Sequence, residues 1–177
     1  MIKSSILLST TGIFLISMFI FCKMKNEKKA AASFSTEGIQ NTRSDNTVIS
    51  CDTSLWNYVY NPGRLQVITK CKTVTGVIEE SNADEDGDQH MLLKLDNGQD
   101  QLLTKRNRKK KQGDLVIEAV CANKATLKKV GHTCEGYINK IQIPKLGEHV
   151  KVTGSLVIDS HNGWSEIHPI TKMEVLK

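Results

Sequence analysis

The stretch Leu65-Gln-Val-Ile-Thr-Lys-Cys-Lys-Thr-Val-Thr-Gly-Val-Ile-Glu79 decides the fold of this chain. It is rich in valine, isoleucine and threonine, which are enriched in β-strands, and it is long for a single strand. Gly76 interrupts the run, and a glycine inside a long strand often marks the bend that a small barrel needs at its corner. We therefore predict a long first strand that bends at Gly76.

Four further strands are predicted downstream, separated by turn signals. Between His90 and Asp96 apolar residues alternate with polar ones, which is typical of a half-buried strand. Asn-Gly pairs at residues 97–98 and 162–163 are strong turn signals. The remaining predicted strands are Leu115 to Cys121, His149 to Asp159 with Val150, Val152, Gly154, Leu156 and Ile158 facing inward, and Trp164 to Leu176.

A short helix is predicted from Ala122 to Val130, between the third and fourth strands. Three strands, a helical connection and two more strands match the OB arrangement, a five-stranded, partly open barrel. We therefore expect an all-β chain with one short helix, in which residues 51–177 form an OB-type barrel. Another small β-barrel or a sandwich is the alternative that the same pattern permits.

Two motifs resemble a group of exported bacterial proteins of unassigned function. They are the turn Asp86-Gly87-Asp88-Gln89-His90 and the C-terminal run Gly163-Trp164-Ser165-Glu166-Ile167-His168-Pro169-Ile170-Thr171. The resemblance covers the chain from about Arg64 onward and implies an exported OB-like domain, with no activity to transfer. The Asp-Gly-Asp turn also resembles that of staphylococcal-nuclease-type domains, but the arginines expected of such a nuclease are not evident here.

The N-terminus has the pattern of an export segment. An uncharged apolar run from Ile6 to Cys22 follows a basic start, so residues 1–22 are predicted to be a signal peptide or a membrane anchor. Lipidation at Cys22 is a third alternative, for which Phe21 is a poor preceding residue. Residues 23–50 are polar and read as a flexible linker. The protein is therefore expected in the cell envelope: membrane-anchored, periplasmic or secreted.

Four cysteines remain after Cys22, an even number that permits disulfides in an exported domain. Cys121 and Cys134 are the closest pair and flank one connection, so we predict a disulfide between them. The alternative, a zinc site, fits poorly because no Cys-x-x-Cys pair is present.

An acidic turn and an aromatic face are candidate sites. Asp86 and Asp88 lie in a glycine-containing turn that could hold a divalent cation such as calcium, although a solvated turn is the simpler alternative. On a strand, Trp164, Glu166 and His168 share one face by the two-residue period. We predict a ligand surface from this face together with His161 and His90; a purely structural role is the alternative.

A basic run precedes the third strand and is predicted to lie in a loop. It could contact a nucleic acid or another polyanion, since lysine and arginine neutralise phosphates; a solvated charged loop is the alternative. The net charge of +5 is a weak argument in the same direction. The run consists of Lys105, Arg106, Arg108, Lys109, Lys110 and Lys111, with Asn107 between them.

No phosphate loop, nucleophile elbow or dinucleotide fingerprint is present in the sequence. The leading hypothesis is therefore a non-enzymatic OB-type binding module of the envelope with an unknown ligand. The sequence indicates no definite cofactor, although a divalent cation could bind at the acidic turn. A metal-dependent phosphodiester hydrolase that uses Asp86, Asp88, Glu166 and His168 is one alternative, and a structural envelope protein without a small ligand is another.

Overall fold

The computed structural model describes residues 50–177. The predicted export segment, Cys22 and all of the predicted linker except Ser50 lie outside the described residues. Among the residues described, no helix is long and apolar enough to cross a membrane. The five strands are β1 (Leu65–Ala83), β2 (Gln89–Leu95), β3 (Leu115–Ala119), β4 (His149–Asp159) and β5 (Ser165–Val175).

The strands close into a barrel in the order β1-β2-β3-β5-β4, with β1 and β4 completing the ring. All neighbours pair antiparallel except β3 and β5, which are parallel. This five-stranded ring confirms the predicted all-β, OB-type barrel.

β1 closes the barrel because it pairs with two different strands along its length. Residues 65–77 face β4 and residues 76–83 face β2, so Gly76 lies where the strand passes from one partner to the other. A Cβ atom at Gly76 would collide with the main-chain carbonyl oxygen of Lys94. The predicted bend at Gly76 is therefore a corner of the barrel.

The barrel interior is filled by alternate side chains of all five strands, as the two-residue period requires. The predicted inward residues Met91, Leu93, Val150 and Val152 are all buried there, and Ile167 of β5 joins them. The inward face of β5 thus contributes to the apolar core, and its other face points away from the interior.

A second, smaller apolar cluster covers part of the outer wall. A 3-10 helix at Thr53–Tyr58 places Leu55 and Val59 against Val120 and Val157. The disulfide Cys51–Cys71 ties this segment to β1, and a second disulfide joins Cys121 to Cys134 as predicted. Two disulfides indicate a protein that matures in an oxidising environment outside the cytoplasm.

Two predictions for the segments between strands are wrong, one of a helix and one of a loop. The segment from Ala122 to Val130 forms no α-helix and has only a 3-10 turn at Lys128–Val130, because its main chain bonds to the β1–β2 turn instead. Asn123 N donates to Gly87 O, and Thr126 N donates to Glu85 O. The basic run, predicted as a loop, forms helix α1 at Lys105–Lys110.

Pro169 marks an irregularity in β5, as its missing N–H donor leads one to expect. Between the pairs Gly154–Ile170 and Leu156–Ile167, β5 advances three residues while β4 advances two. The peptide bond between His168 and Pro169 is cis. This bulge lies directly beside the polar residues of β5 that form the candidate site.

Candidate functional site

A polar cleft of about 340 Å³ opens on the outer wall of the barrel. The β1–β2 turn contributes Asp84 and Asp86 to it, and the β4–β5 turn contributes Asn162 and Trp164. OB barrels bind oligonucleotides and oligosaccharides with these two loops and with the strand face between them. The remaining lining residues are Arg64, Glu80, Asn82, His90, Lys111 and Glu118.

Three larger depressions lie elsewhere: two of about 760 and 850 Å³ around Tyr137 and Ile138, and one of about 530 Å³ beside Thr73 and Lys172. They are lined by fewer ionisable side chains than the polar cleft. Tyr137, which lines the first two of these depressions, stacks on Tyr58 with ring centroids 3.8 Å apart. We place the candidate site in the polar cleft because charged, amide and aromatic groups converge there.

Asp159 builds the β4–β5 turn. Its Oδ1 accepts hydrogen bonds from the main-chain N–H groups of His161 and Asn162, at 2.8 and 3.2 Å. Its Oδ2 accepts a hydrogen bond from Asn162 Nδ2 at 2.7 Å and pairs with Arg64. These contacts hold Asn162 at the cleft, whereas His161 points to solvent at the tip of the turn and does not line the cleft.

The two aspartates of the acidic turn have different roles. Asp86 lines the cleft, and its Oδ1 accepts a hydrogen bond from Asp88 N at 3.2 Å. Asp88 is buried, and its Oδ1 accepts a hydrogen bond from Cys121 N at 2.9 Å. The cation site predicted at Asp86 and Asp88 stays a prediction, and among the described residues Asp86 is not one of the side chains whose ligating atoms converge with those of Asp88. Among residues 50–177, Asp88 groups instead with Glu118 and His168.

Lys111 orients the aromatic wall of the cleft. Its Nζ lies 4.3 Å from the ring centroid of Trp164, a cation–π contact, and 3.1 Å from His90 Nε2. An ammonium group only donates hydrogen bonds, so His90 Nε2 is the acceptor in this contact. His90, Lys111 and Trp164 therefore form one connected wall.

Glu166 and His168 lie on one face with Trp164, as predicted, but that face is not an exposed surface. Both side chains are fully buried. Trp164 Nε1 donates to Glu166 Oε2 at 2.9 Å, and His168 Nδ1 lies 3.1 Å from Glu166 Oε1. Glu166 and His168 therefore support the cleft from beneath, and Trp164 is the member of the set that reaches it.

Three carboxylates surround the imidazole of His168. Its Nδ1 lies 2.9 Å from Glu118 Oε2, and its Nε2 lies 3.6 Å from Asp88 Oδ2. Burial disfavours the imidazolium, but the charges of Glu118 and Glu166 and their hydrogen bonds raise the pKa of His168 well above its ordinary value. The ring therefore carries a proton on both nitrogens when no other cation is bound.

The neighbouring carboxyls differ in how they compensate for burial. Burial raises the pKa of Asp88 to about 7, against the opposing effect of His168. Burial also disfavours the charge of Glu118, but His168 outweighs it and holds the pKa of Glu118 at about 2. Glu118 is thus the ionised partner of His168. The charged form of Asp88 is less favoured than that of Glu118.

The basic run is divided between structure and solvent. Arg106 Nε donates to Asn162 O, Arg108 donates to the carbonyls of Leu103 and Asp100, and Lys111 is held in the cleft. Lys105, Lys109 and Lys110 are exposed. Arg106 and Arg108 are exposed as well, so both arginines and these three lysines can meet a polyanion, with the arginines partly engaged by carbonyl oxygens.

Sequence reasoning missed Arg64, Glu118 and Asp159. Glu118 had a readable signal, because it is the only charged residue in the apolar strand Leu115–Ala119. Arg64 and Asp159 carried no such signal. They pair because Arg64 precedes β1 and Asp159 ends β4, two strands that are far apart in the chain but adjacent in the barrel.

Comparison of the chain with family models, with curated proteins and with solved structures finds no match.

Proposed function

We propose that this protein is a non-enzymatic binding module of the cell envelope, and that its ligand occupies the polar cleft. The observation that carries the proposal is the position of the cleft between the β1–β2 and β4–β5 turns of an OB-type barrel. Ligands of OB barrels bind at this position. The two disulfides and the apolar N-terminal run support export to the envelope.

The lining of the cleft favours a neutral, hydroxyl-rich ligand such as an oligosaccharide. Four carboxylates face two cationic side chains, Arg64 and Lys111, so a polyanion would be repelled inside the cleft. Asn82 and Asn162 each provide an amide that both donates and accepts hydrogen bonds. Trp164 adds an apolar ring face. The carboxylates are Glu80, Asp84, Asp86 and Glu118.

Burial argues against hydrolysis by the residues first assigned to it. Asp88, Glu166 and His168 are each at most 1% exposed, so a phosphodiester bound in the cleft would not reach them. A general base must come within hydrogen-bonding distance of the proton that it removes. These three residues are better suited to positioning Trp164 and the β1–β2 turn than to chemistry.

Tryptophan fluorescence tests the proposal directly. The chain has two tryptophans, Trp164 in the cleft and Trp56 in the N-terminal 3-10 helix, so each can be removed in turn. We expect oligomers of N-acetylglucosamine to change the emission of the wild type and of Trp56→Phe. In Trp164→Phe the change should disappear because the indole is lost, and affinity should fall about tenfold because the smaller phenyl ring has no N–H group to hold it on Glu166.

Single-stranded DNA is the second arm of the experiment. If it binds at low salt through the exposed lysines, its affinity must fall steeply with salt, because each neutralised phosphate releases counterions. Replacing Lys105, Lys109 and Lys110 by glutamine should then flatten that salt dependence and leave the saccharide response unchanged. Binding of DNA that Trp164→Phe abolishes, without any saccharide binding, would overturn the assignment of a neutral ligand to the cleft.

A further inference from the structure

Two buried polar atoms face each other beneath the cleft without hydrogen-bond partners. Within residues 50–177, neither His168 Nε2 nor Asp88 Oδ2 makes a hydrogen bond. The two atoms are 3.6 Å apart, which is too long for a hydrogen bond, and both side chains are at most 2% exposed. A buried polar atom without a partner has lost its hydration and gained no hydrogen bond in return. Two such atoms close together indicate that a third group, bound between them, would satisfy both.

The charge of the surrounding network points to a cation as that group. Four buried carboxylates, from Asp88, Glu118, Asp159 and Glu166, are accompanied by the two cationic side chains of His168 and Arg64. Buried charges are normally paired or coordinate a metal. Even with His168 protonated, the carboxylates outnumber the cations by two.

We propose that Asp88 and His168, with Glu118 as third ligand, bind a divalent transition-metal ion, for which Zn²⁺ is the best fit. One donor atom from each of these three side chains lies within 4.8 Å of the others. Zinc bonds to imidazole nitrogen and carboxylate oxygen are about 2.0–2.2 Å long, so one ion can reach both Nε2 and Oδ2 across 3.6 Å. Calcium and magnesium prefer an all-oxygen set, which His168 does not complete.

The second ring nitrogen of His168 is arranged as in a ligating histidine. Two carboxylates lie near Nδ1: Glu166 Oε1 at 3.1 Å is its hydrogen-bond partner, and Glu118 Oε2 at 2.9 Å would turn toward the Nε2 side on binding the ion. A carboxylate that accepts the other N–H fixes the tautomer and orientation of a metal-bound imidazole. On binding, the ion replaces the proton on Nε2, and this proton is released to solvent.

The ion would have a structural role. Asp88 ends the β1–β2 turn, Glu118 lies in β3 and His168 lies in β5, so one ion would join three elements of the outer wall. All three side chains are more than nine-tenths buried, and they would fill three of the four positions of a tetrahedral zinc ion. The inference does not depend on the ligand proposed for the cleft.

The test is a titration of the full chain in detergent with Zn²⁺ alone, after treatment with a chelator. We expect one equivalent to bind and to raise the thermal midpoint, because an ion that binds only the folded state stabilises it. Asp88→Asn keeps the shape and the Cys121 N contact but removes the charge, and it should lower affinity about 100-fold. The matched control is His149→Gln, because His149 and Asp96 form an exposed pair that could bind zinc adventitiously.

A measurement on the wild type keeps the test independent of how the variants fold. In ¹⁵N-histidine spectra, one equivalent of Zn²⁺ should shift the Nε2 resonance of a single buried histidine and leave Nδ1 protonated. Binding that survives Asp88→Asn and disappears in His149→Gln would overturn the proposal. So would a His168 spectrum that does not change at saturating zinc. Failure of saccharides to bind would bear only on the cleft and not on this site.

Discussion

The side chain of Asn107 pairs with the main chain of Ser165 as a neighbouring strand would. Its Nδ2 donates to Ser165 O and its Oδ1 accepts from Ser165 N, both at 2.9 Å. Nδ2 also donates to Asp114 O, and Oδ1 accepts from Thr104 N, which completes a capping box at the start of α1. One buried amide thereby joins the basic helix to the strand that carries Glu166 and His168.

Replacing Asn107 by alanine should destabilise the protein by about 3 kcal/mol, because several buried main-chain groups lose their partners at once. Chemical denaturation provides the measurement. Asn97, an exposed residue in the turn after β2, is the matched control, and Asn97→Ala should change the free energy of unfolding by less than about 0.5 kcal/mol. Equal effects of the two substitutions would show that the Asn107 contacts contribute nothing to stability.

Gly76→Ala should destabilise the barrel by about 1–3 kcal/mol or more. The added methyl group meets the carbonyl oxygen of Lys94, which is main chain and cannot rotate away. The control is Gly63→Ala, where the described residues leave space around the new methyl group. Thermal unfolding of both variants checks the prediction, and it fails if Gly76→Ala melts at the temperature of the control.

Peptide mapping should link Cys51 to Cys71 and Cys121 to Cys134 in protein isolated without reductant. All four thiols should resist alkylation until they are reduced. Each disulfide closes a loop, of 20 and 13 residues in sequence separation, so loss of either should cost roughly 3 kcal/mol through the entropy of the unfolded chain. Free thiols at Cys121 and Cys134 in native protein would contradict the structure.

Asp114 gives a pH dependence whose sign can be derived. Burial raises its pKa, with a further contribution from the charge of Glu79, so the folded state favours the protonated carboxyl. The contribution of Asp114 to the free energy of unfolding is fully present below the unfolded pKa of about 3.9. It is lost as the pH rises through the pKa of the folded state. The stability of Asp114→Asn relative to wild type should therefore be greater at pH 7 than at pH 3.

Unfolding in urea at both pH values measures that difference. Other groups titrate alike in the two proteins, so their contributions cancel in the comparison. Asn97→Ala, which removes no titratable group, is the control, and its difference from wild type should not vary with pH. A constant difference between Asp114→Asn and wild type across this range would mean that the pKa of Asp114 is not raised.

The strand pattern of the chain was predictable because each strand has one face in the barrel. The alternation of Val150 and Val152 with polar neighbours predicted β4 at the bounds the structure has, His149–Asp159. The same alternation placed Glu166 and His168 on one face. It could not show that this face is buried, because the groups that surround it, such as Glu118 and Arg64, come from distant parts of the chain.

The helix predicted after Cys121 and the loop predicted for the basic run were both wrong, and the physical reasons differ. A run of like charges opposes a helix, but the capping box of Thr104 and Asn107 and the buried contacts of Asn107 outweigh that repulsion. The composition after Cys121 favours a helix. Bonds of that segment to the β1–β2 turn hold it in another conformation. Hydrogen bonds made by particular side-chain and main-chain groups therefore decided the conformation of both segments, and intrinsic propensity did not.

The disulfide between Cys51 and Cys71 also determines how mechanical load enters the domain. Tension on the chain before residue 51 passes through the sulfur–sulfur bond into the middle of β1. It therefore acts on the β1–β4 ladder, where many hydrogen bonds share the load, and it bypasses the 3-10 helix at Thr53–Tyr58. While this bond is intact, tension therefore does not separate Leu55 and Val59 from the outer wall of the barrel, starting at the N-terminal end of the segment.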